Sequence, residues 1–226
     1  IENIENTDRL FRGSPEERSN LCEWPNVTLN KNEEVISIKF WMSSLMGSLG
    51  FQWLPSTVEQ LVVTHNPQIH GEIDCSAFPS ALRSAILGAN SFSGEIDLTV
   101  LPEGLEELDV SHNKLCGSLN LEHLPSPLIK IFLQENLFSG EISLKKLPTG
   151  MRELALSNNR LSGTLDLRSL PPKIQSLVLD KNDFSGLTNF SCLPKTLLTF
   201  DLSHTNLEGE IYVDGVQYFH STGSNV

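Results

Sequence analysis

Positive charge is what this chain has least of. Its 226 residues hold 16 Lys and Arg against 28 Asp and Glu, a formal net charge of −12, and the cations form no cluster. A phosphate backbone demands a cationic surface, so no nucleic-acid partner is expected. Long apolar runs are missing as well. The one long uncharged stretch, residues 40–58, contains four serines, a glutamine and a proline, so no membrane span is expected. The residues that follow Ile1 carry charges where a signal peptide would carry an apolar run. Cysteine is scarce too: Cys22, Cys75, Cys116 and Cys192 show neither metal-ligand spacing nor an obvious pairing. Four free thiols, no metal and no cofactor are therefore expected. Free thiols lean towards a reducing, intracellular setting, with the cell surface or secretion as the alternative.

What the chain does have is a period. Pro79, Pro102, Pro125, Pro148, Pro171 and Pro194 are each 23 residues apart, and Pro55 lies 24 before the first of them. Asn66, Asn90, Asn113, Asn136, Asn159 and Asn182 each follow their proline by eleven residues. One unit reads Leu147, Pro148, Met151, Leu154, Leu156, Asn159, Leu161, Gly163, Leu165, Leu167. Two leucines flanking one outward residue, as in Leu154-Ala155-Leu156, are the period-two mark of a strand with one buried face, so the strands must stack in parallel, one per turn. The Asn amide, placed where the chain bends away from the strand, can satisfy backbone groups of neighbouring turns. Glycine four residues later permits a conformation closed to other residues, and Leu-Pro favours extended geometry on the return side. Ile96, Leu119, Ile142 and Leu165, with Leu98, Leu121, Leu144 and Leu167, alternate again and predict a second short strand on the flank. Phe92, Leu115, Phe138, Leu161, Phe184 and Leu207 fall in one spine of alternating size, the trace of a 46-residue double repeat.

These residues spell L-x-x-L-x-L-x-x-N-x-L, and the chain resembles the leucine-rich repeat family. Phe92-Ser93-Gly94-Glu95-Ile96 and Phe138-Ser139-Gly140-Glu141-Ile142 are similar to the L-S-G-x-I segment of its plant-specific class. The 23-residue length with recurring Leu-Pro is similar to leucine-rich repeat proteins of kinetoplastids and related flagellates. The resemblance implies a solenoid of about eight turns, formally α/β but mostly β here. It further implies a parallel concave sheet, short second strands on the flank and little α-helix. Cys22-Glu23-Trp24-Pro25-Asn26-Val27-Thr28-Leu29 resembles the family's amino-terminal cap, with Leu29 where the second cap cysteine would stand, so the cap disulfide cannot form. A first repeat without Pro or Asn runs through Val35, Ile38, Phe40, Ser43, Leu45, Gly47, Leu49 and Phe51. At the far end Thr205 occupies the ladder position. The organisation expected is residues 1–31 as segment and cap, 32–211 as eight turns, and 212–226 as a carboxy-terminal cap or tail.

Catalysis finds little support. Asp109-Val110-Ser111-His112 and Asp201-Leu202-Ser203-His204 contain the residue types of a hydrolase triad, but neighbouring side chains on a strand diverge, and a triad needs three converging groups. His65, His112 and His204 share a column two and four turns apart, roughly 10 and 19 Å, too far for one metal ion. No catalytic residue is expected.

The open sheet remains. Its outward column is Lys39, Val62, Ile86, Asp109, Phe132, Ala155, Val178 and Asp201, and the next is Trp41, Thr64, Gly88, Ser111, Gln134, Ser157, Asp180 and Ser203. Apolar surface of this kind marks a partner site, and Trp and Phe are frequent interface anchors. The expectation is a non-enzymatic scaffold that binds a protein or extended peptide on its concave face. Trp41, Val62, Ile86, Phe132 and Val178 are its anchors, and Lys39, Asp109, Lys130, Asp180 and Asp201 its polar discriminators. An architectural subunit of a larger assembly and a cell-surface receptor ectodomain binding peptide or glycan are the alternatives; no oligomeric state is implied.

Overall fold

The computed structural model describes residues 4–5, 24, 26–211 and 218–226; Cys22, Glu23 and Pro25 of the cap motif lie outside them. In chain order the strands begin with β1 (Ile4–Glu5), β2 (Val27–Leu29), β3 (Val35–Trp41), β4 (Met46–Ser48), β5 (Gln60–Thr64), β6 (Gln68–Gly71), β7 (Ser84–Ile86), β8 (Ser91–Glu95) and β9 (Glu107–Asp109). They continue with β10 (Lys114–Gly117), β11 (Lys130–Phe132), β12 (Leu137–Glu141), β13 (Glu153–Ala155), β14 (Arg160–Gly163), β15 (Ser176–Val178), β16 (Asp183–Leu187), β17 (Thr199–Asp201), β18 (Asn206–Glu208) and β19 (Tyr218–His220). Among the described residues helix is confined to 3-10 turns at Cys75–Ala77 and Leu98–Val100.

The strands form two sheets. A ten-stranded sheet runs β19-β17-β15-β13-β11-β9-β7-β5-β3-β2, and a nine-stranded one runs β1-β4-β6-β8-β10-β12-β14-β16-β18. Pairing is parallel at one turn per strand, as in Ile131 with Leu154, except that β2 lies antiparallel on β3 and β1 antiparallel on β4. Between the sheets lies one continuous core: Leu61, Leu108, Ile131, Leu154 and Leu177 point inward from the first sheet. Phe92, Leu115, Phe138, Leu161, Phe184 and Leu207 point inward from the second, and every one is fully buried. Parallel strands, short flank strands and near-absence of helix are the architecture that the repeat predicted.

The asparagine ladder explains how the turns hold together. Asn136 Oδ1 accepts the Leu115 amide of the preceding turn at 3.0 Å, while its Nδ2 donates to the carbonyls of Val110 at 3.0 Å and Leu133 at 3.2 Å. Asn182 repeats this with the amide of Leu161 and the carbonyls of Leu156 and Leu179. Each Asn thus ties its own turn to the one before it. In the first repeat, which has no Asn of its own, Asn66 Oδ1 accepts the amides of both Ser43 and Leu45, placing that repeat in register. Thr205 makes only part of the pattern, its hydroxyl donating to the Leu202 carbonyl at 2.8 Å. The sheet nevertheless goes on: Thr199, Phe200 and Asp201 pair in parallel with Tyr218, Phe219 and His220.

Two local features differ in detail from the sequence expectation. The flank strand covers the residues around Phe92-Ser93-Gly94 and ends before Ile96, because Asp97 Oδ1 accepts the Thr99 amide at 2.9 Å and folds the chain into a 3-10 turn. Ile96 and Leu98 are buried by that turn instead of by strand alternation. On the return side the prolines initiate turns: the carbonyls of Pro102, Pro125 and Pro148 accept the amides of Leu105, Leu128 and Met151 at 2.9–3.0 Å. The glycine of each flank strand does take a positive φ, +83° at Gly163, where a Cβ would also stand 2.6 Å from Glu141 Cγ.

Candidate functional site

Strand register places the outward column in a single row. Lys39, Val62, Ile86, Asp109, Phe132, Ala155, Val178, Asp201 and finally His220 are successive Cα partners across the ten-stranded sheet. Nine positions at about 4.8 Å give a row about 38 Å long. His220 is a member that the sequence pattern did not reveal, because the last strand follows neither a Leu-Pro nor an Asn. Its only signal is Phe219 between two polar-capable neighbours.

Exposure along the row is uneven, and geometry says why. Trp41 is 64% and Met42 60% exposed. β2 pairs with β3 only as far as Ile38, so no strand flanks Trp41 on that side among the described residues. Val62, Ile86, Phe132 and Val178 are half-buried, each lying between the side chains of neighbouring turns. Ala155 is buried although it points outward, since its small side chain sits between Phe132 and Val178. In the second column Thr64, Ser111 and Ser203 are buried and Asp180 is half-buried.

The polar residues divide into those already engaged and those that are not. Lys130 Nζ lies 3.1 Å from Glu153. Asp109 Oδ1 accepts both the amide of Ser111 at 2.9 Å and its hydroxyl at 2.6 Å. Asp201 Oδ1 accepts the Ser203 amide at 2.9 Å. Lys39 is exposed. Asp180 joins no ion pair among the described residues. Burial first, and the charge of Asp201 second, raise its carboxyl above the ordinary Asp value, while Lys181 and His204 act in the opposite sense.

The same contacts bear on the first of the two triad-like motifs. The Ser111 hydroxyl donates to Asp109, so it is not poised against a general base, and His112 is exposed at a φ of 52°. His65 and His204 share that left-handed position, at φ 57° and 55°, and stand on the rim of the sheet. Among the described residues no group of three or more His, Cys, Asp or Glu is placed to hold a metal ion. Cys75, Cys116 and Cys192 are free, and burial pushes the Cys75 thiol up to about 12.

A second column of polar residues escaped the sequence reading. Asp74, Asp97, Asn120, Ser143, Asp166 and Asn189, each five residues before a proline, all accept the backbone amide two residues on. A small polar residue recurring at the 23-residue interval was the available signal. These residues build turns, which is the ordinary use of Asx and Ser side chains. Next to them the flank carries a polar groove of about 470 Å³ lined by Thr164, Asp166, Arg168, Leu187 and Asn189 among others. Its charges are internally compensated: Asp166 pairs with Arg168 at 2.8 Å and Lys145 at 3.9 Å, and Arg168 holds the Asp166 carboxyl well below the usual range.

With this geometry in view, the chain can be set beside known proteins. The family model described as Leucine Rich Repeat matches residues 104–126, one complete unit of the repeat. No curated protein sequence matches. Among solved structures the chain is similar to the TDR receptor, with 19% identity, a TM-score of 0.67, 84% of this chain covered and 35% of the other. PEPR1 in the PEPR1–AtPEP1 structure gives 23% identity, a TM-score of 0.66, and coverage of 93% and 34%. The Arabidopsis receptor kinase HAESA, in complex with the peptide hormone IDA and the co-receptor SERK1, gives 29% identity, a TM-score of 0.56, and coverage of 69% and 27%. The chain spans about a third of the length of these proteins or less.

Proposed function

We propose that this protein, a leucine-rich repeat solenoid in its sequence repeat and its fold, is a non-enzymatic module that binds a protein or extended peptide on the open face of its ten-stranded sheet. The observation that carries this reading is the row from Lys39 to His220, in which Val62, Ile86, Phe132 and Val178 stand half-buried, with Trp41 64% exposed beside its first member. An aromatic ring so exposed gains by being covered: at about 25 cal/mol per Å², burying most of a Trp supplies several kcal/mol to association. The length of the row suits an extended chain better than a small metabolite. PEPR1–AtPEP1 and HAESA with a peptide hormone are structures of partnered solenoids of this fold, which is consistent with a protein or peptide partner here.

The architectural alternative has one specific observation in its favour. Leu187 on the flank is 81% exposed, more than Trp41 on the open face, and it borders the polar groove. Affinity capture from the native source separates the two readings. Trp41→Ala with Phe132→Ala should abolish capture of the partner while leaving the melting temperature unchanged; capture that survives this pair and is lost on Leu187→Ser would move the contact to the flank.

A further inference from the structure

The chemistry of the partner can be narrowed from the way charge is distributed along the open face. Together with a third row, two residues before the first, that runs Ser37, Gln60, Ser84, Glu107, Lys130, Glu153, Ser176 and Thr199, the outward columns hold Lys39 and Lys130 against Glu107, Asp109, Glu153, Asp180 and Asp201, a surplus of three carboxylates. A cation pairs with one of these, and hydrogen bonds hold others, Asp201 at the Ser203 amide included. Glu153 is neutralised by Lys130, Glu107 accepts from the Ser84 hydroxyl at 3.2 Å, and Asp109 Oδ1 is taken up by Ser111. Of the four carboxylates that join no ion pair among the described residues, Glu107, Asp109, Asp180 and Asp201, the last two lie together at one end. Asp180 and Asp201, on the seventh and eighth turns, are diagonal neighbours, Asp180 lying two residues beyond Val178, the Cα partner of Asp201, and neither takes part in an ion pair among the described residues. The groups facing them are Lys181 and His204 on the rim, His220 as the Cα partner of Asp201, and Val178 as its partner on the other side. The opposite end of the row is apolar: Trp41, Val62 and Ile86, with one exposed cation at Lys39.

We propose that the occupant of this face is an extended peptide segment with apolar side chains over Trp41, Ile86 and Phe132 and a Lys or Arg side chain seated against Asp180 and Asp201. This rests on the open-face reading above and adds its polarity. Val178 provides the bed for the aliphatic stem of a long cationic side chain, whose head then reaches the two carboxylates. Withdrawing those two like charges from water without a cation would be costly, so a neutral or acidic segment cannot cover this end well. Spacing follows from geometry. Phe132 and Asp201 are three strands apart, about 14 Å, which an extended chain rising about 3.4 Å per residue crosses in about four residues.

The test uses the whole chain and a defined probe, a phage-displayed library of random dodecapeptides selected on the immobilised protein. Enriched peptides should carry Lys or Arg about four residues from an aromatic or branched aliphatic residue. Their synthetic forms should bind about tenfold more weakly to Asp180→Asn, Asp201→Asn than to the parent, an effect that shrinks at high salt. Asparagine keeps the Oδ1 acceptor used by Ser203, and a melting temperature no lower than the parent's certifies the fold. Peptides lost on Phe132→Ala but indifferent to the Asp180, Asp201 pair, or acidic peptides, would overturn the assigned polarity and leave the open face as the site. Enrichment of peptides indifferent to both sets, or none at all, would overturn the face as a peptide site. Self-association abolished by Phe132→Ala would make a second copy the occupant and overturn the proposal equally.

Discussion

Removing the side chain of Asn136 tests the ladder most directly. The residue is 6% exposed, and the side chains around it at Leu115, Val110 and Leu133 are fully buried. Its bonds are not equivalent. The carbonyl of Val110 also accepts from Asn113 Nδ2 at 3.1 Å, and that of Leu133 also accepts from Asn159 Nδ2 at 3.1 Å, so both keep a partner in Asn136→Ala. The Leu115 amide is the donor that loses its Asn136 Oδ1 acceptor in the variant. One orphaned buried donor costs about 1–3 kcal/mol, and loss of the redundant bonds about 1 kcal/mol more, for a total of about 2–4 kcal/mol. Thr205→Ala, which removes one hydroxyl bond to Leu202, should cost about 1 kcal/mol. Urea unfolding followed by far-UV circular dichroism is the assay, since Trp24, Trp41 and Trp53 all lie in the amino-terminal quarter and their fluorescence would report only those turns. Amide exchange at Leu115 supplies the local readout. A cost for Asn136→Ala below about 1 kcal/mol, or unaltered exchange at Leu115, would refute the claim that this amide depends on the following turn.

Two further outcomes follow from packing and charge. Leu161→Phe enlarges a fully buried side chain that lies between the turns of Phe138 and Phe184, and should destabilise by about 1–3 kcal/mol through overpacking; an unchanged melting temperature would reduce the alternation of ring and leucine to ancestry. Asp180 has a folded-state pKa above its unfolded value, so ionising it costs stability above the folded pKa, and that cost disappears as pH falls below the unfolded one. Asp180→Asn should therefore melt higher than the parent at pH 7, with the difference shrinking as pH is lowered towards about 4; a difference independent of pH would contradict the assigned cause.

Much of this molecule was legible because its physics repeats. Asn66 to Asn182 and Pro79 to Pro194 mark the same bend and the same turn in every unit, so each copy corroborates the others. The row from Lys39 to Asp201 followed from period-two alternation alone. Legibility stopped where the repeat did. Tyr218–His220 continues the sheet without either marker, and its place depends on backbone pairing with Thr199–Asp201. It also stopped where the chemistry is between turns. Nothing in the spacing says that Asp109 is engaged by Ser111 two residues away, that Lys130 turns sideways to Glu153, or that Ala155 is shielded by Phe132 and Val178, whereas Asp180 joins no ion pair among the described residues. The free polar groups of the face could be sorted from the engaged ones only with side chains in place.

The direction of the asparagine bonds bears on how the chain is made. Because the Leu115 amide is completed by Asn136, and that of Leu161 by Asn182, a turn closes only when the turn after it has been synthesised. A nascent chain emerging amino-terminus first would hold its newest turn incomplete, with structure trailing the ribosome by one repeat. Growth then proceeds like a zip whose next tooth locks the last, and the turn bearing Thr205 is where that succession of locks gives way to backbone bonding with the strand Tyr218–His220 and the residues after it.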